Sequence, residues 1–294
     1  MLSLNLSDLK PAEAQNYLQH AIAPRPICFA STIDKLGQVN LSPYSFFNLF
    51  SSNPPIAVFS PARRVRDNTT KHTLQNIEET GEVVINMVDY DLVQQMSLSS
   101  CEYPKTVNEF IKTGLTEQPA TRVKPPMVKE SKVKMECIVR QVIPLGQEGG
   151  AGNLVLAEIL VLHIDPSILD ANNQIDQTRY EPVARLGGNW YTRVTSNSLF
   201  EVEKPNVKLG IGFDQLPASI RNSTVLTGND LAMLANCNQL PEPDPAFNDA
   251  HVRHIVQYFA LQPDDLEKEL HLYAQSLLRE QKTATAWQVL LTHA

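Results

Sequence analysis

The rhythm of apolar and polar positions changes three times along this chain. From residue 26 to 88, four short runs rich in β-branched and aromatic residues alternate with turn signals: PICFAST (26–32), VNLSPYSFFNLF (39–50), PPIAVFS (54–60) and EVVINMV (82–88). Their length, and bounds such as Asp34-Lys35-Leu36-Gly37, predict β-strands. Between the last two, TKHTLQNIEET carries Leu74 and Ile77 with Gly81 behind them, which predicts a helix with a glycine stop. Residues 1–24 predict a leading segment with a short helix near Pro11 to His20.

From 89 to 131 the spacing turns helical in DYDLVQQMSL and KTVNEFIKTGL, and Pro119, Pro125 and Pro126 mark a long connection. Two long β runs follow. KVKMECIVRQVIPL puts Val133, Met135, Cys137 and Val139 on one face. NLVLAEILVLHID is apolar on both faces, as for a strand inside a barrel or sandwiched by helices. QEGGAG joins them as a hairpin-type connection. After about residue 200 the pattern is helical. GNDLAMLANCNQ starts at a cap, Asn229 or Asp230, and LPEPDPAF is a stiff linker. Val252, Ile255, Val256 and Phe259 make one stripe; Leu266, Leu270, Tyr273 and Leu277 make another. Asp264 and Asp265 behind Pro263 suit a helix N-terminus, and Trp287, Leu290 and Leu291 fill a last stretch. The expectation is a mainly β domain over residues 1–200 and an α-helical extension over 201–294.

Composition narrows the function. With 43% hydrophobic and 19% charged residues the chain reads as an ordinary globular protein. Its 25 Lys+Arg against 32 Asp+Glu, a net charge of -7, argue against nucleic acid or an anionic membrane as partner. Cys28, Cys101, Cys137 and Cys237 form no CxxC pair and no zinc spacing, so each is expected as a small apolar residue. The first residues lack a basic start, and the apolar run LVLAEILVLHI is too short for a bilayer and contains Glu158. The default expectation is a soluble, cytoplasmic protein.

Against that acidic background RRVRDNTTKHTLQNI (63–77) is a local positive patch, with Arg63, Arg64, Arg66 and Lys71 opposed only by Asp67. Thr69 or Thr70 is the expected N-cap, placing Lys71, His72 and Thr73 in the first turn. A helix start with unpaired N–H groups, a lysine and arginine forks suits a phosphate monoester or pyrophosphate. A solvated basic loop ahead of an ordinary helix fits the same residues. Ser31 and Thr32, then Ser42, Ser45 and Asn48 among Tyr44, Phe46 and Phe47, make a polar and aromatic strand end that suits a flat heteroaromatic ring, or a core strand with its turn residues. No Ser-His-Asp, HExxH or paired-carboxylate signal stands out, and LGIGFDQ is a lone GxG without a Rossmann fingerprint. His251 and His254 read as a surface pair rather than metal ligands. Glu158 faces solvent or pairs with a basic residue such as Arg140.

The order PRPICFAST, GQVNLSPYSFFN, PPIAVFS and KHTLQNIEETGEVVIN resembles the flavin reductase-like, FMN-binding split-barrel proteins, over roughly residues 20 to 195. RLGGNWY (185–191) is similar to the family's terminal Arg-Leu-Gly-Gly segment, which brings in Gly187 and Gly188. The resemblance implies a six-stranded Greek-key split β-barrel with flanking helices, a homodimer, and FMN near the dimer interface. It implies that Ser31, Thr32, Ser42, Pro43, Tyr44, Ser45 and Asn48 line the flavin site together with Lys71, His72 and Thr73. Relatives usually read Lys-Asp-Thr where this chain has His72 in the middle, and Arg63 and Arg64 add positive charge upstream. The activity implied is hydride transfer from NAD(P)H to flavin N5 and passage of electrons to an acceptor, with no obligatory catalytic side chain. Two rivals are a non-enzymatic FMN-binding electron carrier or redox sensor, and a flavin-free scaffold on the same barrel.

Overall fold

In a computed structural model, residues 1–205 and 209–292 are described. The chain divides into two compact units, Met1–Phe200 and Glu201–Ala294. The first opens with α1 (Pro11–Ala21), started by its proline at the first helical position. Then come β1 (Cys28–Ile33), β2 (Val39–Tyr44), β3 (Phe47–Ser52), β4 (Pro55–Phe59), α2 (His72–Thr80) and β5 (Glu82–Met87). Helices α3 (Val93–Leu98) and α4 (Glu109–Thr113) follow, with the two-residue strands β6 (Glu117–Gln118) and β7 (Met127–Val128) paired to each other. The long strands β8 (Val133–Pro144) and β9 (Asn153–Ile164) come next, and the short hairpin of β10 (Val183–Arg185) and β11 (Tyr191–Arg193) closes the unit.

Seven strands form one antiparallel sheet in the order β2-β1-β5-β8-β9-β4-β3. The run VNLSPYSFFNLF, expected as one strand, is broken at Ser45 and Phe46 into β2 and β3, which lie at opposite edges of the sheet. Three Cα steps span at most about 11 Å, so both edges must come together at this corner. The sheet is therefore strongly curled. In place of the six strands of the Greek-key split β-barrel expected from the resemblance, the sheet has seven, with no ladder joining β2 to β3 among the described residues. Pro43, which has no N–H to give, sits on the edge strand β2, where a missing donor is tolerated.

The inner face collects Cys28, Ala30, Tyr44, Ala57, Phe59, Val83, Ile85, Cys137, Val155 and Ala157 from the strands, with Leu74 and Ile77 of α2 packed against them. Each of those two side chains contributes about 1.5–3 kcal/mol by leaving water, which pins α2 to the sheet. Gly81 ends the helix in the left-handed region (φ 70°), its N–H bonded to Ile77 O. The opposite face of β1 and β5 packs Phe29, Leu41, Val88, Met96, Phe110 and Val128 under α3 and α4. β9 departs from expectation. Leu160 and Leu162 on its outer side are exposed. Arg140 Nε donates to Glu158 Oε2 at 2.5 Å on the same side.

The second unit holds α5 (Ala218–Arg221), α6 (Gly228–Ala235), α7 (Ala250–Phe259), α8 (Pro263–Arg279) and α9 (Thr283–Leu291). Val252, Ile255, Leu266, Leu270, Leu277, Trp287 and Leu290 share one core. The cap of α6 is Thr227 rather than Asn229 or Asp230; Asp230 returns the bond as the third residue of a capping box.

Candidate functional site

Side chains alternate along a strand, so Asn40, Ser42 and Tyr44 share one face of β2. That row faces the start of α2. Tyr44 Oη donates to Thr73 Oγ1 at 2.8 Å. Burial, moderated by the hydroxyls of Thr73 and Ser42, pushes the Tyr44 phenol up to about 12, so it stays a donor at neutral pH. The cap of α2 is Lys71, one residue beyond the expected threonines, and no side chain caps the first turn. The threonines serve the loop instead. Arg64 Nη1 donates to Thr69 Oγ1 at 2.9 Å and to Thr70 O at 2.7 Å.

The basic cluster divides its labour. Arg63 grips Asn68 through Oδ1 and O, each at 2.6 Å, and so shapes the loop. Arg64 and Arg66 both reach Glu102, at 3.2 and 3.1 Å. Arg63 and Lys71 make no ion pair among the described residues; Arg63 is engaged by Asn68, whereas Lys71 Nζ has no hydrogen-bond partner among them either. Burial first, then the charge of Arg64, lowers its pKa, with Glu102 partly offsetting them. His72 is lowered by burial and by Arg64, Lys105 and Lys71, which favours the neutral imidazole. A half-buried ammonium beside uncapped helix N–H groups invites an anion.

A cavity of about 380 Å³ opens at this corner. Of the residues expected in the site, Ser42, Pro43, Tyr44, Ser45, Arg63, Arg64 and Lys71 line it; His72 and Thr73 line the narrow cleft beside it, with Asn40. Ser31 and Thr32 are fully buried in β1 and, as strand neighbours, point to opposite faces. Thr32 accepts from Asn76 Nδ2 at 3.2 Å, so it steadies α2 rather than lining the cavity. Asn48 is exposed on the edge strand β3, and its Oδ1 accepts from Leu49 N at 2.8 Å. Gly187 and Gly188 form the β10–β11 turn, with Gly188 at φ 57°. Gly187 lies against α1: a Cβ there would fall 2.1 Å from His20 Cδ2.

The polar lining residues Gln15, Gln19, Ser60, Ser100 and Glu102 escaped the sequence reading. Gln15 and Gln19 of α1 sit four apart, so their helical spacing would have placed them on one face. Glu102 and Ser60 carried no local signal. Ser60 Oγ and Asn40 Nδ2 are buried polar atoms without a partner. In a folded interior such atoms are rare, and here both border the space where a polar ligand would sit. The donor set, one free ammonium, helix N–H groups, hydroxyls and an amide, fits a phosphate monoester, and the Pro43–Phe46 corner offers a wall for a flat ring. A larger cavity, about 660 Å³, lies in the second unit around Phe247, Val252 and Leu291 and contains none of the flavin-site residues expected from the sequence.

Known proteins resemble this chain in sequence and fold. Residues 20–182 match the flavin reductase like domain. An uncharacterized protein of Aquifex aeolicus is 38% identical over 172 residues, 58% of this chain and 85% of that protein. Nitrilotriacetate monooxygenase component B from Bacillus cereus superposes with a TM-score of 0.64 at 28% identity, over 69% of this chain and 98% of its own. The 2-nitrobenzoate 2-nitroreductase of Pseudomonas fluorescens, 24% identical with a TM-score of 0.63 over 72% of this chain and 100% of its own, has the same fold. With more than half of its length matched, this chain belongs to the flavin reductase-like family.

Proposed function

We propose that the first unit binds FMN in the cavity at the β2–α2 corner and works as an NAD(P)H-dependent flavin reductase or related oxidoreductase. The observation that carries this reading is the unpaired, half-buried Lys71 at the uncapped start of α2, beside a cavity bordered by orphaned Ser60 and Asn40 groups. When bound, FMN supplies a two-electron acceptor that takes hydride from a reduced nicotinamide and passes electrons to an acceptor.

The chain's own residues do the rest. Lys71 and the first-turn N–H groups hold the phosphate; Arg64, already bound to Glu102, Thr69 and Thr70, shapes the loop and adds background charge. Ser42 and Ser45 present hydroxyls at the cavity wall without adding charge. Tyr44, clamped to Thr73, keeps the wall and the helix start in register. A phosphate-sized corner supports FMN as the flavin. A homodimer is part of the same reading, supported by the apolar side chains left exposed on β3 and β9, Leu49 at 59%, Phe50 at 70% and Leu162 at 53%. The relatives' printed activities, a monooxygenase component and a nitroreductase, support an oxidoreductase.

The test is direct. The purified full chain is titrated with FMN while flavin fluorescence and dialysis equilibrium are followed, and then supplied with NADH or NADPH. Saturable binding and flavin-dependent oxidation of the nicotinamide are expected. A chain that remains colourless at saturating FMN refutes the reading.

A further inference from the structure

Two further cavities adjoin the flavin corner. One of about 290 Å³ shares Pro43, Tyr44, Ser45 and Ser100 with it. The next, about 450 Å³, shares Ser97, Arg185, Asn189 and Tyr191 with the second. No carboxylate lines either one, although the chain is acidic overall.

The cations here are unevenly satisfied. Arg193 is paired with Glu181 and lies flat on Tyr90, its guanidinium carbon 3.8 Å from the ring centroid. Arg185 has no ion pair among the described residues. It lies 4.6 Å over Tyr191 and gives one N–H to Gly188 O at 2.7 Å. Behind it stands Arg25, only 7% exposed, held by the carbonyls of Gln19, Ile22 and Leu186 and, among the described residues, by no acid; its Nε is buried without a partner there. Burial, then the charge of Arg185, lowers the Arg25 pKa, so the two guanidiniums feel each other. Adjacent cations with no acid between them are unfavourable until an anion completes the site.

We propose that the cavity bounded by Tyr90, Arg185, Tyr191 and Arg193 takes the adenosine diphosphate portion of a dinucleotide, with the diphosphate on Arg185 and the purine on the Tyr90–Arg193 face. This rests on flavin occupying the adjoining corner. Arginine presents a planar fork that matches phosphate oxygens. Purines stack on guanidinium planes and tyrosine rings alike. Asn189 and Ser97 line the same space and can bond the ribose. The chain of cavities leads the far end of such a dinucleotide to Pro43–Ser45. The adenosine diphosphate belongs either to the nicotinamide donor or to FAD.

ADP is the probe, titrated calorimetrically into the full chain and its variants, with FMN titrated separately. Saturable ADP binding is expected, weakened about tenfold or more in Arg185→Gln, the scale of a lost bidentate contact. Arg185→Lys, which keeps the charge but loses the fork, should fall between, and FMN affinity should stay within about twofold in both. No ADP binding to the wild type, or equal binding in Arg185→Gln and Arg193→Gln, overturns the proposal. So does ADP binding lost in Lys71→Ala but kept in Arg185→Gln, which places ADP in the phosphate corner. Failure of the flavin reading looks different: ADP binds while FMN does not. A lower FAD-to-FMN affinity ratio in Arg185→Gln assigns the site to FAD. An unchanged ratio with a raised KM for NADH or NADPH at saturating FMN assigns it to the donor. Either result supports the site.

Discussion

Replacing Lys71 by alanine removes the member of the basic cluster that has neither an ion pair nor a hydrogen bond among the described residues. A hydrogen bond to a charged group contributes about 1.5–3 kcal/mol. At about 1.4 kcal/mol per decade, that is a loss of about tenfold to about a hundredfold in FMN affinity. The structure argues for the upper part of the range. Lys71 is half-buried, which strengthens its field, and Arg64 cannot swing in because Glu102, Thr69 and Thr70 hold it. What remains in the variant is the uncapped helix start and the hydroxyl row. Equilibrium dialysis against FMN at fixed salt measures the change directly. The pH profile supplies a second reading. Burial and Arg64 lower the Lys71 pKa, so the free protein loses this charge at a lower pH than an exposed lysine would. Wild-type affinity should therefore fall as the solution turns alkaline, and Lys71→Arg should flatten that fall. An affinity unchanged within about twofold in Lys71→Ala, at neutral pH and low salt, would refute the placement of the phosphate.

Other perturbations test the frame around the site. Glu136 is fully buried; burial would raise its pKa, but hydrogen bonds from Thr121, His163 and Arg122 overcome this and hold it at about 2 against an ordinary 4.5. That gap corresponds to about 3 kcal/mol of stability, present above pH 4.5 and lost as pH falls toward 2. Glu136→Gln should lower neutral-pH stability by about that amount and blunt the acid limb, as read by denaturant melts across pH; an unchanged acid limb contradicts the linkage. Gly187→Ala drives a Cβ into the His20 ring and should destabilise by about 1–3 kcal/mol, with most of the loss recovered in the His20→Ala background; equal losses in both backgrounds remove His20 as the cause. A chain ending at Phe200 should keep FMN binding, since the corner residues all lie within the first unit; an insoluble product would show that the second unit completes its core.

Much of the local structure was legible because it depends on neighbours in sequence. The strand runs around Phe29, Leu41, Val58 and Ile85 announce themselves by composition. Leu74 and Ile77 followed by Gly81 mark α2 and its stop, and the glycine adopts the left-handed conformation that other residues resist. The cap was misjudged by one residue, because the Thr69 hydroxyl is drawn into the loop by Arg64 and Asp67 and the Thr70 hydroxyl accepts from Gln75 Nε2. Ser31 and Thr32 looked like partners in one site, yet strand geometry sends adjacent side chains to opposite faces. The break between β2 and β3 was not legible. Ser45 and Phe46 carry no turn signature, and the bend exists because two edges of a curled sheet meet there.

By itself, then, the sequence determined the rhythm of strands and helices, the acidic background with one basic segment, and the ordered segments that carry the family. Each is a property of residues close together along the chain. Only the tertiary structure decided which charge is available. Glu102, 38 residues from Arg64, pairs with two arginines, while Lys71 has no ion pair among the described residues and Gln15 and Gln19 of the first helix arrive to roof the same cavity. Long-range ion pairs and burial set the electrostatics of a site, and both depend on distances that the order of residues does not contain.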